Sequence, residues 1–166
     1  MSTSAYAALY LTTTDDEPKI LFLQRSNGGW WLPGGRISAG ERDQQIKHLV
    51  SNLVTHYDEW HPIGIGLWHL SPEGGSGKVH LFESHATRPS RIRIKNPDSG
   101  LTKSLAWFDR RNIREHLYQK KDMPWGQAKM AIYSLHNLWV GKRRAIDDPL
   151  KDDLGTVADM VWNRPN

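Results

Sequence analysis

Residues 28–60 read GGWWLPGGRISAGERDQQIKHLVSNLVTHYDEW. The glycine-rich first half has the composition of a tight turn suited to a polar or charged ligand, and the second half reads as a helix. From about Asp43 to His56, the residues Ile46, Leu49, Val50, Leu53 and Val54 recur at the spacing of a helix packed along one side. Between Asp43 and Asp58 there is no carboxylate at all. A binding turn therefore precedes a helix that has no acidic face.

Working outward, Ala5 to Leu11 and Ile20 to Gln24 are short apolar runs of strand type, separated by the turn residues TTDDEP. Asn27-Gly28-Gly29 breaks the chain, Trp30 to Leu32 forms a brief extended piece, Pro33-Gly34-Gly35 reads as a turn and Ser38-Ala39-Gly40 as a loop. Ile63 to Leu70 and Lys78 to Ser84 read as a strand pair joined by SPEGGSGK, and Leu105 to Phe108 as a further strand. Asn112 to Tyr118 is a short helix, and Trp125 to Val140 a longer one with Ala128, Ile132, Leu135 and Trp139 on one side. The tail from Gly141 onward follows no clear pattern. Strands alternating with two or three helices predict an α/β (α+β) sandwich, and the lack of repeats or linkers predicts a single domain over residues 1–166.

The 166 residues are 38% apolar and 24% charged, a globular balance. No apolar run approaches the ~18 residues of a membrane span. The start, MSTSAYAALYL, lacks the basic segment of an export signal, and the chain has no cysteine, so a cytoplasmic setting is expected. The formal charge of +4 suits an anionic ligand without requiring one. Among eight tryptophans, Trp30, Trp31, Trp68 and Trp107 fall near the candidate site segments. Arg88 to Lys95 (RPSRIRIK) alternates Arg with Ile and reads as a charged edge strand rather than as a nucleic-acid surface.

The stretch Trp31-Leu32-Pro33-Gly34-Gly35, followed after five intervening residues by Glu41, and a preceding ILFLQR resemble the Nudix (MutT-like) family. The resemblance implies a Nudix-like α/β/α sandwich around a mixed sheet. It also implies a box helix whose Arg-Glu and Glu-Glu pairs hold Mg²⁺ or Mn²⁺ against a diphosphate for hydrolysis. This sequence keeps the opening of that box and loses the rest. Counted without gaps, Arg-Glu becomes Leu49-Val50, Glu-Glu becomes Leu53-Val54 and the closing Gly becomes His56. A two-residue gap would instead offer Lys47-His48 and Ser51-Asn52, with Leu49 and Leu53 toward the core. The gapped register is the expected one, and neither supplies a carboxylate.

The candidate site follows from what remains. Glu41, with Asp43 beside it, can at most hold one Mg²⁺ weakly, so no metal is expected to be required. Glu83, Asp58 or Glu59 would have to bring acidity from elsewhere. His48 is the candidate acid or base on the helix, and Glu83 a candidate general base if its side chain faces inward; for both, a solvated surface position is the stronger reading. His69, His80 and His85 form no recognisable zinc set. Arg25 and Arg36 are candidate anion grips, Gly34 and Gly35 candidate backbone anion holders, and Trp30, Trp31 and Trp107 candidate stacking surfaces. The expected function is binding of a nucleotide-like or other anionic small molecule, with or without metal-independent chemistry. The alternative is an Mg²⁺-dependent hydrolase of a nucleoside-diphosphate compound that uses Glu41 with acidic residues from outside the box.

Overall fold

The computed structural model describes residues 5–38, 40–56, 60–70, 76–96 and 100–142. The tail beyond residue 142 and the pair Asp58-Glu59 lie outside the described residues. The strands are β1 (Ala5–Thr12), β2 (Ile20–Arg25), β3 (Trp30–Trp31), β4 (Gly34–Ile37), β5 (Ile63–Leu70), β6 (Ser76–His85) and β7 (Thr102–Phe108). The helices are α1 (Arg42–Leu53), α2 (Arg110–Arg114), which continues as a wider π turn to Lys120, and α3 (Trp125–Lys142).

The seven strands form one mixed sheet in which β1 is central. It pairs in parallel with β6 from Tyr6↔Val79 to Thr12↔His85. On its other side the edge is shared. Ala5 to Ala8 pair antiparallel with Ile37 to Gly34, whereas only the far end, Thr12, meets β2 at Ile20. β2 turns outward to pair with β3 and β7. Leu9, in the gap of this fork, donates its N–H to the Pro33 carbonyl at 2.9 Å, so the backbone there is not left unpaired.

Both faces of the sheet are covered, which explains why β1 and β2 read as nearly unbroken apolar runs rather than alternating ones. Ala8, Tyr10, Ile20 and Phe22 pack toward Ile113, Met130, Ile132 and Leu135 of α2 and α3. The residues between them, Ala7, Leu9, Leu11, Leu21 and Leu23, pack toward Ile46, Val50 and Val54 of the α1 layer. The expected mixed-sheet α/β/α sandwich is what forms.

Two expectations about local structure change. Gly34 and Gly35 belong to a strand and not to a turn. A Cβ added at Gly34 would lie 2.0 Å from the Ala7 carbonyl oxygen, so glycine is required for close strand approach. The stretch Arg88–Lys95 forms no edge strand. Pro89–Arg91 is a 3-10 turn, Ile92 is buried in the α1-side core, and Ile94 makes one isolated bridge to Val54. This segment straps the end of α1: Lys95 N–H donates to the Leu53 carbonyl at 3.0 Å and the Lys95 ammonium to the Ser51 carbonyl at 3.2 Å. A cation there satisfies carbonyls that the helix leaves orphaned. α1 consequently stops at Leu53, short of the expected His56.

The loop that follows β4 is closed by one side chain. The Gln45 amide accepts from Ser38 N–H at 2.9 Å and donates to the Ser38 carbonyl at 3.1 Å. In the opposite layer, Gln127 of α3 is fully buried and accepts the Leu32 N–H at 2.7 Å, which ties the Trp31-Leu32-Pro33 segment to α3.

Two stability outcomes follow. Gly34→Ala should lower unfolding free energy by about 3 kcal/mol or more in urea titration, because β4 must separate from β1. Gln127→Met, close in volume, should cost about 1–3 kcal/mol by leaving the Leu32 N–H buried without an acceptor.

Candidate functional site

The sequence-predicted site residues do not converge on one place. Glu41 is the residue before the first turn of α1; it is exposed, and its side chain makes no capping hydrogen bond. Leu53 is at the other end of the same helix, about 18 Å away along the axis for twelve residues of rise. Glu41, Arg36 and His48 share an open groove of about 540 Å³ with Gln44, Gln45 and Leu49. His48 is exposed there, and its Nε2 lies 3.3 Å from the Asn52 side-chain amide. Glu41 and Asp43 also border a hollow of about 440 Å³ against Gly64, Gly66 and Phe82.

Glu83 lies on the wrong face for this helix. In a strand, residues two apart share a face, and Leu81 packs into the α2/α3-side core whereas Phe82 packs on the α1 side. Glu83 therefore points away from α1. Its carboxylate approaches His85 Nε2 at 3.6 Å, and His85 Nδ1 lies 2.8 Å from the Thr12 hydroxyl. This is a local network at the end of β1 and β6.

The tryptophans separate in the same way. Trp30 is buried in the α2/α3-side core, with its ring centroid 5.0 Å from Phe108 and 5.8 Å from His116. Trp30 is thus a core residue, and its expected part in a stacking surface with Trp31 and Trp107 is corrected. Trp107 pairs with Leu21 and packs half-buried against the α1-side core. The side chain of Trp68 lies outside the described residues.

Arg25, Trp31 and Gly34 do come together. They line a cleft of about 400 Å³ with Leu23, Ser26, Asn27, Leu32, Leu53, Leu101 and Thr102, at the fork where β2 leaves β1. A β2–β3 hairpin builds it: Arg25 N–H donates to the Gly29 carbonyl and Gly28 N–H to the Arg25 carbonyl, both at 2.9 Å. Gly28 has φ of 92°, a conformation open to glycine and strained for other residues. The hairpin lays the Arg25 guanidinium over the Trp31 ring at 3.6 Å from its centroid. No carboxylate among the described residues pairs with Arg25. Stacking uses the face of the guanidinium and leaves its in-plane N–H groups free to bind an anion.

Two features in and just after α1 bear on the registers of the family box. Ser51 is buried, with its hydroxyl on the His48 carbonyl at 2.8 Å, so it does not face a cleft as the gapped register requires. His56 has φ of 62°, the left-handed backbone typical of glycine, at the place where the gapless count puts the family's closing glycine. The expectation that Ser51 faces the cleft is thereby corrected, and the His56 backbone agrees with the gapless count. The box positions are then occupied by Leu49, Val50, Leu53 and Val54, of which Val50 and Val54 are fully buried. These side chains have no oxygen donors, so they do not fit a divalent cation. Among the described residues no three His, Asp or Glu side chains converge as a metal-holding group.

Sequence reasoning missed Leu53, Leu101 and Thr102 as cleft residues. Leu101 and Thr102 approach from a distant segment that carries no local signal. It also missed that Arg25 and Trp31 stack on each other, although the hairpin glycines Gly28-Gly29 between them were visible. Burial lowers the Lys129 ammonium on α3 below the ordinary lysine value; its nitrogen lies 5.0 Å from the Trp125 ring centroid.

Solved structures place this geometry. The Nudix domain of Shewanella oneidensis NrtR, complexed with ADP ribose, superposes with a TM-score of 0.60 at 14% identity, over 81% of this chain and 87% of that one. A Nudix-family hydrolase from Clostridium perfringens gives 0.59 at 12% identity, over 83% and 99% of the two chains. The MutT protein of Methanosarcina mazei Go1 gives 0.57 at 13% identity, over 84% and 96%. No protein-family profile matches the sequence, and no curated protein matches it. The chain has the Nudix fold, and the resemblance read from WLPGG and Glu41 is correct at that level.

Because Arg25 is exposed and its contact with Trp31 is a surface cation–π pair, Arg25→Ala should cost no more than about 1 kcal/mol of stability in urea titration. The variant is therefore a clean probe of binding.

Proposed function

We propose that this protein binds an anionic small molecule, nucleotide-like or otherwise, in the cleft between Arg25, Trp31, Gly34 and Leu53, and that it does so without a metal cluster. The observation that carries the reading is a guanidinium, paired with no carboxylate among the described residues, that shares one cleft with the apolar Leu53 at the end of α1. The cation supplies the attraction that metal ions would otherwise supply, and the helix lacks the carboxylates that would compete for it. One of the neighbouring structures is a hydrolase by name, but function resides in the site rather than the fold. Here the site lacks the oxygen ligands for metal-assisted attack by water.

Metal-independent acid/base chemistry is the less favoured reading. General acid–base work requires the proton-transfer group within hydrogen-bonding reach of the reacting atom. His48 borders a separate groove, and Glu83 is on the opposite face of the sheet. Among the described residues, the cleft lining has no Asp, Glu, His or Lys. Binding without turnover is the function this arrangement supports best. No helix among the described residues is long and apolar enough to cross a membrane. The ligand is accordingly sought among water-soluble metabolites.

The test is a thermal-shift panel of nucleotides, ADP ribose and anionic metabolites, run with and without EDTA. A ligand present at a hundredfold excess over Kd should stabilise the fold by about 2.7 kcal/mol, a shift of several degrees. The expected result is a shift that survives EDTA, disappears in Arg25→Ala and is accompanied by no product. Release of phosphate or a mononucleotide that requires Mg²⁺ and is abolished by Glu41→Gln would establish the hydrolase alternative instead.

A further inference from the structure

The cleft's composition narrows the ligand further, on the basis of the binding function just proposed. Its lining residues are Arg25, three neutral polar residues (Ser26, Asn27 and Thr102), Gly34 and the apolar Leu23, Trp31, Leu32, Leu53 and Leu101. Among the described residues, Arg25 is the sole formal charge in this lining.

We infer that the ligand is a monocarboxylate with an aliphatic body: its carboxylate is held by Arg25 and its hydrocarbon portion lies against Leu53, Leu101 and Leu23. Charge comes first. A nucleoside diphosphate or diphosphate diester brings at least two negative charges, and one guanidinium neutralises one. The remainder would rest against leucine side chains, where an unpaired charge is strongly disfavoured. In the fold's hydrolases a metal cluster would balance that excess, and the aliphatic box positions here cannot recruit one.

Geometry gives the same answer. With its face on Trp31 at 3.6 Å, Arg25 presents its N–H edge, and that fork matches the two oxygens of a single carboxylate. The same stack covers one face of Trp31, whose relative exposure is only 8%. Trp30 is in the core and Trp107 is not in the cleft lining. No aromatic sandwich is therefore open to a nucleobase among the described residues. What the cleft does offer is leucine: Leu101 is 73% exposed at its rim and Leu53 is half-buried at the helix end. Burying an aliphatic chain against them contributes favourably per methylene.

The experiment is isothermal titration of the full chain in EDTA with butanoate, hexanoate and octanoate, and separately with ADP, ADP ribose and pyrophosphate. The expected result is one site per chain, with affinity rising about fourfold per methylene. Octanoate should bind tighter than any of the phosphates. Arg25→Leu and Leu53→Glu should each weaken octanoate at least tenfold, the first by removing the fork and the second by placing a like charge in the apolar wall. If ADP or ADP ribose binds tighter than octanoate and loses its affinity in Arg25→Leu, the carboxylate assignment is overturned while the anion-binding function stands. If octanoate binds equally well to both variants, it occupies another site and the assignment is likewise overturned. If none of the probes binds, both readings fall.

Discussion

The architecture depends on how closely β4 approaches β1. At Gly34 the two backbones are so near that even a methyl group would collide with the Ala7 carbonyl. This contact lets β4 take the first half of the β1 edge, leaving only Thr12 to meet β2. The sheet forks as a result, and the fork is what creates a cleft between β2, β3 and the end of α1. A side chain at position 34 would not merely strain a turn. It would remove the reason for β2 to diverge.

Much of the fold was legible because its signals are local. The apolar runs of β1 and β2, the helical stripe of α1 and the start of the last helix are each written in consecutive residues, and each formed near its expected position. The glycine pair was misread as a turn, since Gly-Gly after Pro has the same composition whether it bends the chain or lets another strand approach. Only knowledge of the facing residue, Ala7, separates the two. The stretch RPSRIRIK was misread for a related reason. Its alternation matches a strand, but Pro89 starts a 3-10 turn and the backbone of Arg93 and Lys95 is used to close α1.

The site was less legible than the fold. The absence of carboxylates on α1 was plain from Gln44 to His56, but which residues replaced them in the cleft depended on register. Buried Ser51 and left-handed His56 agree with the gapless count, where periodicity alone had pointed the other way. The separation of the Glu41–His48 groove from Glu83, from the tryptophans and from the Leu53 cleft has a simple cause. Proximity in sequence on a helix of twelve residues still allows the two ends to serve different grooves, and one step along a strand reverses the face.

The Lys95 strap has an electrostatic consequence for the cleft. The last turn of a helix carries partial negative charge that extends into the surrounding solvent. Here an ammonium is bonded to the Ser51 carbonyl at that same end, close to where Leu53 enters the cleft wall. The ammonium offsets part of that negative charge, so this helix end opposes an approaching anion less than a bare terminus would. Such interactions act over about 8–10 Å in physiological salt, so the rate at which the proposed anionic ligand is captured should fall as ionic strength rises.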